Sequence, residues 1–318
     1  FPAKLRKALD ASVLKGRLST QQADRAFHNL SLAPKLEDLA GAALVIEAAP
    51  EKLELKRELF AKLSLLCPDA ILATNTSSLS VKDIMAGATL PVRTLGVHFF
   101  NPPVAMKLVE LVRWSETGQE AFKEAWDFIV MGLRKTPVEV KDVPGFIVNR
   151  VMRPYYLTGQ RLATAGTGFA AFDEACRTRG GVPMGPFELM DLIGLDTNFA
   201  ITTVIYEALG RPERFTPPAL QKTLVEKGCH GKKSGKGFYL YQDGKQTGEN
   251  PDALALLPTG AAPAPAAIWD EMRAPLIAEA ERVVSEGTAG AGDIDTAIKL
   301  AMNFPKGPFE WRKESTAA

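Results

Sequence analysis

His98 is the residue whose type and position in this sequence best suit proton transfer. It ends the apolar run Arg93-Thr-Leu-Gly-Val-His98 and precedes an aromatic pair and Asn101-Pro102. An imidazole, with an ordinary pKa of about 6.5, can accept and return a proton near neutral pH. Glu110 lies in a second apolar run, Lys107-Leu-Val-Glu-Leu-Val112. Taken alone, each residue has a structural alternative, a hydrogen-bonded core histidine or a surface glutamate.

Composition and charge exclude several other kinds of chemistry. Cys67, Cys176 and Cys229 are far apart and form no Cys-x-x-Cys or Cys/His cluster, so we expect no disulfide framework and no metal site. A reducing cytoplasm is the simplest compartment for such a chain. The 38 basic and 37 acidic residues give a net charge of +1, which is no basic excess for holding nucleic acid. The most apolar stretch, residues 40–49, is too short to insert in a membrane, which needs about 20 apolar residues.

The elements that must position His98 alternate between helix and strand. The length of 318 residues suggests two domains, at about 150 residues per domain. The patterns predict helices at residues 5–14, 55–66 and 120–133, a short helix opened by Ser80, and strands at residues 42–48, 70–74, 93–98, 107–112 and 137–141. Strands separated by helices indicate βαβ units and a mostly parallel α/β sheet.

The pattern changes after Pro144. Residues 146–165, 172–177, 187–193 and 198–209 all show helical spacing, and the next strand pattern is Gly237-Phe-Tyr-Leu-Tyr241. We therefore expect a separate all-α domain. Residues 242–267 are rich in Gly, Pro and Ala, which predicts a linker with at most a short helix.

A part of the helical region occurs twice. Met184-Gly-Pro-Phe-Glu188 aligns with Lys306-Gly-Pro-Phe-Glu310, and Phe172-Asp173 aligns with Ile294-Asp295, about 122 residues further on. The second copy is partial and covers residues 268–318. Because Gly and Pro at a helix start need special backbone angles, we expect the repeated motif to be architectural.

Six segments, taken in order and spacing, closely resemble the L-3-hydroxyacyl-CoA dehydrogenase family of fatty-acid oxidation. They are Asn75-Thr-Ser-Ser-Leu79, His98-Phe-Phe-Asn-Pro102, Met106-Lys-Leu-Val-Glu110, Pro144-Gly-Phe-Ile-Val-Asn-Arg150, Pro183-Met-Gly-Pro-Phe-Glu-Leu189 and Gly231-Lys-Lys-Ser-Gly-Lys-Gly-Phe-Tyr239. Each motif is modest alone, but the series covers most of the chain. The duplicated helical domain looks like the longer bacterial members.

The resemblance implies a doubly wound, Rossmann-like NAD-binding domain at residues 1–142 and a helical dehydrogenase domain at 143–241. The linker at 242–267 and the partial second helical repeat at 268–318 would follow. The family opens with a strand, a Gly-x-Gly-x-x-Gly turn, a helix and a second strand, and this first βαβ unit is missing from the sequence. We expect an upstream segment to supply it in the full-length protein, the alternative being an enzyme without it. The missing turn would hold the cofactor pyrophosphate, so we expect the 318 residues alone to bind NAD weakly.

The resemblance also assigns roles at the reaction site. His98 would be the catalytic base, and Glu110 would pair with it and stabilise its imidazolium. Ser77 and Asn149 match residues that hydrogen-bond the substrate oxygen. In the same way, the positions that touch NAD in the family correspond here to Glu51, Lys56, Asn75, Ser77, Asn101 and Lys233. The positions of a CoA-contacting helix correspond to Lys4, Arg6, Lys7 and Ser12, although a basic exposed helix face is an equal alternative.

The implied function is NAD-dependent oxidation of an L-3-hydroxyacyl-CoA to the 3-oxoacyl-CoA. The main alternative is a truncated, non-catalytic relative that binds acyl-CoA or oligomerises without NAD turnover. A third possibility is a Rossmann dehydrogenase of small hydroxy acids, which the Asn-Thr-Ser-Ser and His-Phe-Phe-Asn-Pro segments disfavour. Acyl chain length stays open, with acetoacetyl, long-chain and 3-hydroxyadipyl-type substrates all possible. We expect either a homodimer or a pseudo-dimer formed by the two helical copies within one chain.

Overall fold

The sheet that carries His98 is preceded by a helical hairpin. The computed structural model describes residues 2–261 and 263–317, and opens with α1 (Pro2–Leu14) and α2 (Thr20–His28). Helix α1 buries none of its residues. Arg6 fastens it to α2 through an ion pair with Asp24 and a contact with the Phe27 ring.

Five strands form the main sheet in the order β1-β2-β3-β4-β5. The elements are β1 (Leu44–Glu47), α3 (Leu53–Leu66), β2 (Ile71–Thr74), α4 (Val81–Met85), β3 (Thr94–Phe99), β4 (Leu108–Arg113), α5 (Gln119–Asp127) and β5 (Thr136–Lys141). Neighbours are parallel except β3 and β4, which are antiparallel. The predicted mostly parallel α/β architecture is thus confirmed.

Both faces of the sheet are covered. Alternate residues such as Ile71, Leu95 and Val109 pack against α5. The opposite face, with Leu108 and Val112, packs against α3, α4 and the helical region. Since successive strand residues point to opposite faces, His98 and Glu110 share this second face with Leu108 and Val112. The sheet therefore directs both side chains towards the helical region.

The chain after β5 is helical, as predicted. It forms α6 (Val148–Val151), α7 (Arg153–Leu162), α8 (Ala170–Gly180), α9 (Pro186–Ile193), α10 (Leu195–Ala208) and α11 (Ala219–Glu226). One predicted helix, at residues 146–165, is divided at Met152. Pro154 in the first turn of α7 explains the division, because it lacks the backbone N–H that would continue the ladder.

The prediction that residues 242–267 are a linker was wrong for their first part. Strands β6 (Tyr239–Gln242) and β7 (Lys245–Glu249) form a hairpin, and α12 (Pro251–Leu254) follows. The turn residues Asp243 and Gly244 both have positive φ, 50° and 73°. Asp-Gly is a favoured pair for such two-residue hairpin turns, so the sequence held this signal.

The second helical copy packs on the first. It consists of α13 (Pro265–Ser285), α14 (Ala291–Met302) and α15 (Pro308–Ala317). The rings of Tyr155 and Phe304 lie 5.7 Å apart, centre to centre. Gly180 of α8 lies so close to Trp269 of α13 that a Cβ at this glycine would be 2.7 Å from the indole. This packing places α13 against α7 and α8.

The repeated Gly-Pro-Phe-Glu motif is architectural for a different reason from the one expected. Gly185 has φ −77° and ψ 177°, which any residue can adopt. A Cβ here would instead lie 2.1 Å from Asp173 Oδ1, which accepts a hydrogen bond from the Phe187 N–H of α9, while Asp173 Oδ2 accepts one from the Glu188 N–H. Gly307 has the same relation to Asp295 in the second copy. The glycine is therefore needed for close approach, and the special-angle explanation was wrong.

Candidate active site

His98 and Glu110 form a buried hydrogen-bonded pair across two strands. They are direct register partners on β3 and β4, and His98 Nδ1 lies 2.6 Å from Glu110 Oε2. The histidine residue is 6% exposed and the glutamate is fully buried. A carboxylate at this distance from Nδ1 favours the tautomer that has its lone pair on Nε2.

The second oxygen of Glu110 is held by the start of the helical region. Oε1 accepts hydrogen bonds from the backbone N–H groups of Ile147 (3.0 Å) and Val148 (2.9 Å). Gly145 and Phe146, just before, have φ values of 79° and 47°. Positive φ is unusual for a phenylalanine and marks a tight turn that directs successive N–H groups to one anion. Glu110 thus joins the sheet to the helical region.

Two aromatic rings pack against His98, and an amide without a protein partner follows the turn that holds Glu110. The Phe100 and Phe146 rings lie 4.6 and 5.7 Å from the imidazole, centre to centre. Asn149 follows Val148 directly and is half-buried. Within the described residues, neither His98 Nε2 nor the amide of Asn149 forms a hydrogen bond with the protein. Both are therefore available to a substrate.

Glu51 gathers the loop that contains Ser77. Its Oε1 accepts hydrogen bonds from the Thr76 hydroxyl (2.5 Å) and from the N–H groups of Ser77 (3.1 Å) and Ser78 (3.2 Å). Partial burial alone would raise the pKa of Glu51, but these hydrogen bonds and the Lys56 charge hold it below its usual range. The carboxylate is thus ionised at neutral pH.

A buried pair at the end of β1 supports Glu51, and sequence reasoning missed its acidic member. Lys56, 1% exposed, lies 2.7 Å from Glu47 Oε1 and 3.3 Å from Glu51 Oε2. Glu47 also accepts a hydrogen bond from the Thr74 hydroxyl. Lys56 therefore lies behind Glu51 as a support. A glutamate inside an otherwise apolar strand was the signal that could have found Glu47.

The remaining residues predicted to touch NAD lie in three places. Asn75 bridges the ends of β2 and β3, because its Oδ1 accepts the Phe99 N–H at 2.9 Å. Asn101 is exposed just after β3. Lys233 is half-exposed and forms an ion pair with Asp196 at the start of α10, 2.6 Å away. Lys233 is thus engaged within the helical region.

The residues predicted to contact CoA lie on α1. Lys4 and Lys7 are exposed, and Ser12 donates its hydroxyl to the Ala8 carbonyl. Arg6 is engaged with Asp10 as well as Asp24, at 2.9 and 2.6 Å. Helix α1 does present a basic face, but Arg6 also holds α1 to α2.

The edge formed by the carboxyl ends of β1, β2 and β3 suits a nucleotide cofactor. It presents the ionised Glu51 as an acceptor for hydroxyl groups, and the amide nitrogen of Asn75, which has no partner among the described residues. Cofactors of open α/β sheets bind beyond this edge. A sheet domain of this kind, joined to a helical domain at a histidine–glutamate pair, is the architecture of a Rossmann-type dehydrogenase.

Comparison with known families identifies the particular dehydrogenase family. The model of the 3-hydroxyacyl-CoA dehydrogenase NAD-binding domain matches residues 2–143, and that of the 3-hydroxyacyl-CoA dehydrogenase C-terminal domain matches residues 145–241 and 268–317. The chain belongs to the 3-hydroxyacyl-CoA dehydrogenase family of NAD-dependent oxidoreductases.

Individual relatives agree with this assignment. The chain is 34% identical to 3-hydroxyadipyl-CoA dehydrogenase of Escherichia coli K12, over 95% of this chain and 80% of the relative. It is 40% identical to a 3-hydroxybutyryl-CoA dehydrogenase of Mycobacterium tuberculosis, over 74% of this chain and 83% of the relative. A crystal structure of 3-hydroxybutyryl-CoA dehydrogenase from E. coli K12 superposes with a TM-score of 0.85 at 31% identity, covering 98% of this chain and 83% of the other.

No helix within residues 2–261 and 263–317 has the length and apolar character required to cross a membrane. Cys67, Cys176 and Cys229 are all buried as free thiols.

Proposed function

We propose that this enzyme oxidises an L-3-hydroxyacyl-CoA to the 3-oxoacyl-CoA, with His98 as the general base. The observation that carries the proposal is the 2.6 Å contact between His98 Nδ1 and Glu110 Oε2, which leaves Nε2 as the acceptor for the substrate proton. Relatives named for 3-hydroxybutyryl-CoA and 3-hydroxyadipyl-CoA support an acyl-CoA substrate.

In the oxidative direction, His98 Nε2 takes the proton of the C3 hydroxyl. The imidazole then carries a positive charge, and the carboxylate of Glu110 lies against its Nδ1–H. Because the Ile147 and Val148 N–H groups hold the other carboxylate oxygen, Glu110 keeps its orientation during the transfer. In the reductive direction the same imidazolium returns the proton.

Ser77 and Asn149 bind the substrate oxygen. A hydroxyl and an amide can each serve the alcohol and the carbonyl form, because both groups can donate. Asn149 directly follows the Ile147 and Val148 N–H groups that hold Glu110, so the support of Glu110 and the oxygen-binding amide share one turn of the chain. Glu51 holds the backbone of Ser77 by accepting a hydrogen bond from the Ser77 N–H.

NAD supplies the hydride acceptor when it is bound. Glu51, Asn75 and Asn101 would hold its ribose and amide side at the strand ends, with Lys56 behind Glu51 and Lys233 reaching from the helical region. Lys4, Arg6, Lys7 and Ser12 on the α1 face would meet the phosphates of CoA. We place the enzyme in the cytoplasm, as a homodimer or as a pseudo-dimer of its two helical copies.

The test is steady-state kinetics of full-length protein with NADH and 3-oxoacyl-CoAs of different lengths. We expect turnover that requires the CoA thioester and falls when His98 is replaced. A protein that binds acyl-CoA but does not oxidise NADH with any chain length would instead be the non-catalytic relative.

A further inference from the structure

Arg153 is a buried cation for which the described residues provide no carboxylate. In residues 2–261 and 263–317, the buried lysine and arginine side chains are Lys56, Arg150 and Arg153. Lys56 and Arg150 each form ion pairs with two carboxylates. Arg153 forms none, although it is only 2% exposed. A buried charge without a counter-charge is costly, so a missing anionic partner is the natural explanation.

The guanidinium of Arg153 is held by neutral groups through two of its three nitrogens. Nε donates to the Asn149 carbonyl (2.9 Å), and Nη1 donates to the Asn198 carbonyl (3.1 Å) and to the Thr202 hydroxyl oxygen (2.9 Å). The ring of Tyr156 lies 4.8 Å away. Burial lowers the pKa of Arg153 to about 10, so the side chain is still charged at neutral pH. Nη2 has no hydrogen-bond partner among the described residues.

Asn198 contributes a second donor without a partner at the same junction of α7 and α10. Its Nδ2 is buried and makes no hydrogen bond. The orientation of the amide is fixed, because Oδ1 accepts from Gln221 Nε2 (3.2 Å), and that nitrogen also donates to the Leu195 carbonyl. Asn198 Nδ2 is therefore a buried donor without an acceptor, on the residue whose carbonyl accepts a hydrogen bond from the charged Arg153. A carboxylate has two acceptor oxygens and the required charge.

The position of Arg153 relative to Asn149 sets the length of the ligand. The guanidinium lies close to Asn149, because Arg153 Nε is 2.9 Å from the Asn149 carbonyl oxygen. In a six-carbon dicarboxylic acyl chain, three bonds of about 1.5 Å join C3 to the terminal carboxyl carbon, a span of about 4 Å before its oxygens are counted. An oxygen on C3 at Asn149 therefore brings the far carboxylate to Arg153.

We propose that Arg153, together with the Asn198 amide, forms a subsite for the terminal carboxylate of a short dicarboxylic 3-hydroxyacyl-CoA. The proposal rests on the proposed function, because it takes Asn149 as the residue that binds the C3 oxygen. The guanidinium would act as a specificity-determining group. It would favour a substrate ending in a carboxylate over one of equal length ending in a methyl group.

The experiment compares 3-oxoadipyl-CoA with 3-oxohexanoyl-CoA, using NADH and full-length enzyme. The readout is the ratio of the two kcat/KM values, which cancels any general damage to folding or turnover. We expect wild type to favour the carboxylate substrate at least tenfold. A charge-assisted hydrogen bond of the usual strength predicts that Arg153→Met lowers the ratio by about 10- to 100-fold. Arg161→Met, on the exposed side of the same helix, is the matched control and should leave the ratio unchanged.

A second variant keeps the test decisive if Arg153→Met does not fold. Asn198→Asp places a carboxylate of the protein beside the guanidinium, and it should remove the preference while Arg153 is still present. A wild-type ratio near one, or equal losses with both substrates in each variant, would overturn the proposal. If neither substrate is turned over, the proposed function fails, and calorimetric binding of adipyl-CoA against hexanoyl-CoA in the same variants decides the subsite separately.

Discussion

Replacing Glu110 by glutamine should disable His98 without removing it. The carboxylate can only accept hydrogen bonds, so the contact at 2.6 Å requires a proton on His98 Nδ1. In Glu110→Gln, the N–H groups of Ile147 and Val148 fix the amide oxygen at the former Oε1 position. The amide nitrogen then donates to Nδ1, which forces the imidazole proton onto Nε2. A histidine in that tautomer cannot take the substrate proton.

The expected loss follows from the value of a positioned general base, about 10²- to 10⁴-fold. This equals roughly 3–5 kcal/mol of barrier. Glu110→Gln and His98→Gln should each reduce kcat by this order. The double variant should cost much less than the sum, because the two residues act as one unit. KM values for NAD and acyl-CoA should change little, since those contacts lie elsewhere.

The assay is NAD reduction by full-length single and double variants, with L-3-hydroxyacyl-CoA in excess. Glu139→Gln is the matched control, since the half-exposed Glu139 lies in the neighbouring strand and pairs with Arg113 at 2.7 Å. It should keep wild-type kcat. A His98→Gln variant within about threefold of wild type would remove His98 from the mechanism. Strictly additive losses would keep His98 but separate it from Glu110.

Three further predictions concern the support of the site and the helical region. Gly185→Ala should lower the free energy of unfolding, measured in urea, by about 1–3 kcal/mol, because its Cβ would overlap Asp173. The control is Gly292→Ala, whose Cβ meets no atom within 4 Å and which should be neutral or stabilising. Burial raises the pKa of Asp173 to about 8, so the folded state binds the carboxyl proton more tightly than the unfolded state does. The stability advantage of wild type over Asp173→Asn should therefore shrink as pH rises from about 4 towards 8. An advantage that grows with pH would show that the hydrogen bonds to the carboxylate outweigh its burial. Glu51→Gln should raise the KM for NAD about tenfold with little change in the KM for acyl-CoA, since a loss of one charged hydrogen bond is of that size; equal changes in both would mean that Glu51 only orders its loop.

The parts of the fold that sequence could predict are those that depend on local pattern. Apolar runs located the strands, and the order of the motifs located His98 and Glu110. What the pattern could not give is the register that makes these two residues direct partners. That register requires β3 and β4 to be antiparallel, and Gly96 allows their close packing. A Cβ at Gly96 would lie 2.8 Å from Val112 and 2.9 Å from Val81.

Other features of the site are long-range and leave little local signal. Glu110 is held by backbone N–H groups 37 and 38 residues further along the chain. Because almost every residue type has a backbone N–H, the sequence does not mark these donors. The hairpin at 239–249 was missed for the opposite reason. Its Asp243-Gly244 turn is a local signal, but the Gly- and Pro-rich composition around it favoured a linker.

The second helical copy contacts the proposed active site through Arg150, the residue next to Asn149. Its guanidinium donates to Glu279 at 2.8 Å and forms two hydrogen bonds with Glu286, both on the second copy. The same copy binds the sheet domain, because the Lys141 N–H donates to the Thr288 carbonyl. The second helical copy thus contacts both the sheet domain and the first helical region, which Glu110 joins. Since the N–H groups that orient Glu110 precede Arg150 by two and three residues, the ion pairs that hold Arg150 also restrain the turn that orients the His98–Glu110 pair. The second helical copy therefore restrains the backbone on which the position of Glu110 depends.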